Sequence, residues 1–210
     1  MNRRGFGYQD WNTPKKVEAL AGEVIVEVAC GLVHTCAVTS TGSIYMWGWS
    51  SSAGHADVER GEEFFSPRLL QDLSFLEGVT CVSAHDSHSS ASCVTKAGEV
   101  FTWGYSLKPS GKLGHGDESN QNSPKRVEAL VGMKPKQVVA CGCNHTAVRT
   151  EDGQVYTFGS GEYGQLGHGD REAKTSPVLV KALAGKHMIV QVQCGQGHTM
   201  ALTSTGYVFT

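Results

Sequence analysis

No window of this chain approaches the ~18 consecutive apolar residues that a membrane-spanning helix requires. The opening MNRRGFGYQDWN also lacks the apolar core of a secretory signal. Neither sign of charge dominates: 18 Lys and Arg against 20 Asp and Glu leave a formal charge of -2 and a pI near 6.5. Bulk charge therefore does not indicate chromatin, nucleic-acid or membrane binding, and any such contact would need a local patch. The seven cysteines are an odd number without a secretory context, which speaks against a disulfide framework. These absences place the protein in the cytoplasm or nucleus as an expectation. Apolar residues also lack the 3.6-residue periodicity of amphipathic helices, occurring instead in short runs.

What the chain has in excess is glycine, 26 residues, and the glycines recur at fixed intervals. The clearest unit runs from Val139 to Gly169, VACGCNHTAVRTEDGQVYTFGSGEYGQLGHG. It contains Cys-Gly, then His-Thr, a turn glycine eight residues after the histidine, an aromatic-Gly pair, and Leu-Gly-His-Gly-Asp. The turn glycines Gly42, Gly98, Gly153 and Gly206 stand 56, 55 and 53 residues apart. Trp47-Gly48, Trp103-Gly104 and Phe158-Gly159 keep step with them, as do Pro14, Pro67, Pro124 and Pro177. A period of this length marks a repeat architecture in which each copy is one supersecondary unit packed on its neighbours. The units fall at 1–23 (partial), 24–78, 79–135, 136–187 and 188–210 (truncated).

Within the first full unit the composition predicts strands at Val24 to Cys30, Thr35 to Thr39, Ser43 to Trp47 and Pro67 to Leu73. Val24, Val26 and Val28 share one face of the first strand while Ile25 and Ala29 take the other, which implies a sheet covered on both sides. Cys30, Cys141 and Cys194 end equivalent apolar runs, where a small buried side chain is expected. The second unit is irregular: counting back from Gly98 without gaps puts Ser90 where other units have His34, His145 and His198, and moving His88 there needs two extra residues.

Three long connections leave this frame, at Trp49 to Ser66, Tyr105 to Ser123 and Ser160 to Ser176. The first departs furthest from the repeat, reading Ala53-Gly-His-Ala-Asp57, and is acidic. Asp57, Glu59, Glu62 and Glu63 are its candidate partner-binding residues, because loops on a rigid scaffold concentrate binding residues. The structural anchors are expected at Cys30, His34, Gly42, Trp47, Gly98, Trp103, Cys141, His145, Gly153, Phe158, Cys194 and His198.

Motifs that suggest chemistry are better explained as parts of the repeat. Gly159-Ser-Gly-Glu-Tyr-Gly164 fits the dinucleotide fingerprint, yet no helical run follows to receive a pyrophosphate. Cys141-x-Cys143-x-His145 and Cys194-x3-His198 have ligand-like spacing, but zinc needs four donors at about 2.3 Å from one point. Repeat-equivalent residues lie one to a unit. Neither a metal nor a cofactor is expected, and no nucleophile–base–carboxylate set stands apart from the repeat. Asn144-His-Thr146 is a formal glycosylation sequon inside the repeat core. The histidine and threonine of each unit are expected to hydrogen-bond the backbone of their own or the next unit.

Ala-Cys-Gly-x-x-His-Thr followed by Ala-Val, Gly-x-Val-Tyr/Phe-x-Trp/Phe-Gly, Gly-x-x-Gly-Gln-Leu-Gly-His-Gly-Asp (Gly161 to Asp170) and the following Ser-Pro resemble the repeat of the regulator of chromosome condensation family. The resemblance covers nearly the whole chain. It implies an all-β propeller of four-stranded antiparallel blades, usually seven, of which about four are here, so the four units are expected to be part of a longer chain. It also implies a protein-interaction module with protein partners. The founding branch is an exchange factor for the small GTPase Ran, while other members serve as platforms in HECT-type ubiquitin ligases or in the plant ultraviolet-B photoreceptor. The photoreceptor's clustered tryptophans have no match among Trp11, Trp47, Trp49 and Trp103. No residue corresponds by motif to the exchange factor's active loop.

Overall fold

The computed structural model describes residues 13–31, 33–49, 63–71, 78–84, 90–105, 110–141 and 144–210. Four antiparallel sheets follow one another along the chain. Blade 1 comprises β1 (Ile25–Cys30), β2 (His34–Thr39), β3 (Ile44–Trp49) and β4 (Glu63–Leu69). Blade 2 comprises β5 (Val79–Ala84), β6 (Ser90–Thr95), β7 (Val100–Gly104) and β8 (Gln121–Arg126). Blade 3 comprises β9 (Pro135–Cys141), β10 (His145–Thr150), β11 (Val155–Gly159) and β12 (Lys174–Leu179). Blade 4 has three strands, β13 (Ile189–Cys194), β14 (Thr199–Thr203) and β15 (Val208–Phe209). Among the described residues helix is limited to short 3-10 turns, including Glu18–Leu20 and Glu128–Leu130, which share the sequence Glu-Ala-Leu and nearly the same flanking backbone angles. This is the propeller expected from the repeat.

The hairpin between the second and third strands shows how sequence sets the register. Thr39, Thr95, Thr150 and Thr203 end the second strands, three residues before the turn glycine. Each threonine hydroxyl accepts the N–H of the residue four positions on, from Ser43 (3.0 Å), Glu99 (3.2 Å), Gln154 (3.0 Å) and Tyr207 (3.0 Å). The turn glycines themselves donate back to the threonine carbonyls. They adopt φ of 86, 75, 75 and 86°, a left-handed backbone in which glycine is the least strained residue. A Cβ at Gly153 would lie 2.8 Å from Ile189 N, the entry to blade 4, so this turn is pinned by the next blade as well.

The core lies between blades rather than within them. Trp103 packs with Cys36, Val38, Ile44, Met46 and Leu70 of blade 1, and Phe158 with Val94, Val100, Val127 and Leu130 of blade 2. The aromatics of blades 2 and 3 therefore each fill the face of the blade before. Trp47, Trp103 and Phe158 are all buried, at 6, 0 and 0% exposure, as expected. Burying one such side chain contributes about 1.5–3 kcal/mol.

Several expectations change. The first strand's valine face is open: Val24, Val26 and Val28 are 64, 61 and 64% exposed, because no described residue packs on that side of blade 1. Cys30 shares that face and is exposed, while Cys194 is half-buried. The third strand keeps both faces covered, with Ile44, Met46 and Trp47 buried. The fourth strand of blade 1 starts at Glu63 rather than Pro67, since β3 and β4 stay paired to Trp49↔Glu63. In blade 2, Ser90 pairs with Gly104 as His34 pairs with Gly48 and His145 with Gly159, so the ungapped alignment holds.

Candidate functional site

The Leu-Gly-His-Gly-Asp segments of blades 2 and 3 are held by one construction. Thr102 donates its hydroxyl proton to Leu113 O at 2.6 Å and lies 3.0 Å from His115 Nε2. Thr157 does the same with Leu166 O at 2.6 Å and His168 Nε2 at 3.0 Å. A hydroxyl has one proton, so each histidine must present Nε2–H as the donor, which both the neutral Nε2–H tautomer and the imidazolium can do. Burial lowers the pKa of both His115 and His168 and favours that neutral form. The motif's aspartates close the loop, Asp117 accepting Ser119 N–H at 2.8 Å and Asp170 accepting Glu172 N–H at 3.0 Å. The Glu172 N–H bond, with Lys174 beside Asp170, holds the Asp170 carboxyl below the usual range.

The His-Thr pairs join blades. Thr146 donates to Lys112 O of the preceding blade at 2.7 Å, and Thr199 to Gln165 O at 2.8 Å. Thr199 then accepts from His145 Nε2 of blade 3 at 2.9 Å. The threonine thus reaches back to backbone, as expected, while the histidine reaches forward to a side chain rather than to backbone. Burial, reinforced by His198, lowers the His145 pKa to about 4. His198 itself is exposed, against the expectation of an anchor, because no described blade follows blade 4. Asn144 of the sequon is buried at 6% exposure.

The glycines after Trp47 and Phe158 are required by close approach. A Cβ at Gly48 would stand 2.6 Å from His34 Cα, and one at Gly159 2.7 Å from His145 Cα while striking Asn144 O. Gly159-Ser-Gly-Glu-Tyr-Gly164 runs from β11 into successive turns with no helix, so the fingerprint is loop structure.

Of the candidate partner-binding residues, Asp57, Glu59 and Glu62 lie outside the described residues, and Glu63 opens β4 opposite Trp49 instead of standing in the loop. Cys141 ends β9, and its side chain is outside the description. Cys30 and Cys194 belong to blades 1 and 4 and do not come together. Sequence reasoning missed Lys112, which is almost fully buried and whose pKa desolvation pushes down to about 7. The signal was present: Lys112 stands where blade 3 has Gln165 in an otherwise matching segment. It also missed Arg126, which bridges Glu99 at 2.9 Å and Glu128 at 2.8 Å on the outer surface.

With this geometry in place, comparison with known proteins is specific. Profiles described as the regulator of chromosome condensation (RCC1) repeat match residues 97–149 and 152–202, and a second such profile matches 25–53 and 137–165. The chain is 36% identical over 205 residues to the ultraviolet-B receptor UVR8 of Arabidopsis thaliana, covering 96% of this chain and 44% of the receptor. It is 37% identical over 201 residues to the E3 ubiquitin-protein ligase HERC2 of Mus musculus, covering 94% of this chain and 4% of the ligase. The chain thus spans less than half the length of these relatives. Prp20p of Saccharomyces cerevisiae shares the fold, with a TM-score of 0.69 and 22% identity over 84% of this chain and 42% of that one. The repeat motifs, their blade-joining roles and these matches together establish that the chain belongs to the regulator of chromosome condensation repeat family.

Proposed function

We propose that this chain is a protein-binding propeller whose partner contacts are made by the loops between third and fourth strands, the blade 1 loop foremost. The observation that carries the reading is a contrast between loops. Those of blades 2 and 3 are tied to the frame through Thr102 with His115 and Thr157 with His168, and their recurring residues serve the scaffold. The blade 1 loop replaces that motif with Ala53-Gly-His-Ala-Asp57 and adds Glu59 and Glu62, with Glu63 where the chain enters β4, so its sequence departs from the scaffold pattern and we assign it to a specific partner. A cytoplasmic or nuclear setting suits this role.

Two finer readings follow. Exchange on a small GTPase needs no cofactor, only tighter binding of the nucleotide-free state than of the loaded one. The likeness to Prp20p, studied for its binding to Gsp1p and histones, supports that reading at the level of fold. The alternative, a binding platform of a HECT-type ubiquitin ligase, is favoured by the 37% identity to HERC2. Release of fluorescent GDP from purified small GTPases, measured with and without the intact protein, separates them. Accelerated release that is lost on charge reversal at Glu59, Glu62 and Glu63 supports exchange through this loop. Unchanged release, with partner capture that the same reversals leave in place, overturns both the exchange reading and the loop assignment.

A further inference from the structure

The hairpin turn of one blade meets the entry to the next, and one of these joints is open. A Cβ at Gly42, in the turn of blade 1, would stand 2.1 Å from Gly78 Cα, and one at Gly153, in the turn of blade 3, 2.8 Å from Ile189 N. At Gly98, in the turn of blade 2, the nearest atom is Lys134 Cα, at 3.4 Å. Here a groove of about 470 Å³ lies between blades 2 and 3, lined by Thr80, Lys96, Gly98, Lys134, Lys136 and Glu151 among others. Lys134 is the departure from the repeat. Its carbonyl accepts the N–H of Glu151 as the Gly78 carbonyl accepts that of Lys96, so the two positions are equivalent. Both are left-handed, with φ of 60° at Gly78 and 50° at Lys134. Glycine takes that backbone freely, whereas lysine is held there against strain, which points to a use for its side chain. Lys96 in turn stands where the other turns have Ser40, Glu151 and Ser204. Lys96 and Lys134 make no ion pair among the described residues, and Lys136 reaches only Glu151, at 3.5 Å with the two side chains 51 and 55% exposed.

We propose that this groove binds an acidic segment of a partner protein, with Asp and Glu carboxylates set against Lys96, Lys134 and Lys136. Three lysines and one glutamate leave the groove positive in a chain whose formal charge is -2, so attraction of an acidic segment is local to this joint. The lysines come from two blades and act as separate point charges on flexible stems, which suits several carboxylates spaced along a peptide. No arginine lines the groove to grip a phosphate in two places, and its volume is that of a site for a ligand of many atoms and not for one small anion. The strands carry the turns at one end and the loops between third and fourth strands at the other. The groove is therefore on the face opposite the acidic loop, and the proposal does not depend on the loop reading.

The test titrates a fluorescent oligoglutamate peptide into the protein at low ionic strength and follows anisotropy. Saturable binding that weakens as salt is added is expected. Lys96→Gln combined with Lys136→Gln should weaken it at least about tenfold, or about 1.4 kcal/mol. Lys134→Gly should also weaken binding, while the urea midpoint stays the same or rises because glycine relieves the left-handed strain, so lost binding is told apart from lost folding. Glu151→Gln, which frees Lys136 and removes a like charge, should tighten binding, and Lys125→Gln on the outer strand of blade 2 should leave it unchanged. No saturable binding, equal weakening by Lys125→Gln and the groove variants, or a short DNA duplex that binds through the same lysines more tightly than the peptide overturns the proposal.

Discussion

The threonine of the His-Thr pair ties blade 3 to blade 2 and blade 4 to blade 3, and His145 adds to the second of these joints. Its Nε2–H donates to Thr199, which in turn donates to Gln165 O, so a proton added to His145 would place charge at a buried joint. Burial is the larger cause of its lowered pKa, about 4 against the ordinary 6.5, with the His198 charge second. The folded state therefore binds the proton more weakly than the unfolded state does. The associated stability is fully present above about pH 6.5 and is lost as pH falls toward 4, by up to about 3 kcal/mol at 1.36 kcal/mol per unit. Urea melts between pH 7 and 4 should show this loss, and His145→Asn should remove much of the slope while costing about 1 kcal/mol at pH 7 through the lost hydrogen bond. These joints were only half legible in the sequence. The recurrence of His-Thr marked a structural pair, but which blade each partner reaches depends on how blades stack, and no spacing along the chain encodes that. Lys112 was overlooked for a related reason, since a lysine in a polar turn is ordinarily exposed and only packing on blade 3 buries it.

At the level of the blade, the pattern of turns was read well because it is local. Threonine three residues before a left-handed glycine sets the hairpin through bonds of 3.0 to 3.2 Å that involve only neighbours in sequence. The aromatic-Gly pair was recognised as a landmark, but the reason for its glycine is tertiary: the backbone before the His strand lies against it. Gly159→Ala should accordingly destabilise by more than about 3 kcal/mol, combining left-handed strain with a clash on Asn144 and His145 backbone. Gly169→Ala, at φ 83° with no atom within 4 Å, should cost only about 1–2 kcal/mol of strain. Chemical denaturation of the two variants side by side distinguishes them, and equal losses would show that the close approach carries no energy. The strand limits of blade 1 were misjudged because Glu63 and Phe64 read as loop, whereas pairing with Trp49 and Gly48 draws them into β4.

Across the described blades, cores form between neighbours, so blades 1 and 4, each with one described neighbour, differ from blades 2 and 3, each with two. The valine face of β1 is exposed, and in blade 4 Met200 and Val208 are exposed where the equivalent Ser92 and Ala147, and Val100 and Val155, of the inner blades are buried. The sequence showed apolar residues on both faces of β1 and so implied full cover, because periodicity reports what a side chain suits and not whether a neighbour is there. Site assignment was less legible still, since partner specificity lies where the repeat is broken and the repeat then gives no guide. Stability in such arrays is a sum of unit terms and nearest-neighbour interfaces, and interfaces here carry the aromatic packing and the Thr-to-carbonyl bonds. Residue-resolved hydrogen exchange on the native chain tests this directly, because protection reports local opening free energy. Amides of β6 and β10, flanked by blades on both sides, are expected to exchange slowest and together, with those of β1 and β14 to β15 faster by at least about a hundredfold, or about 2.7 kcal/mol. Protection as high in β1 and β15 as in β10, or blades that open independently of their neighbours, would contradict a fold held together between its blades.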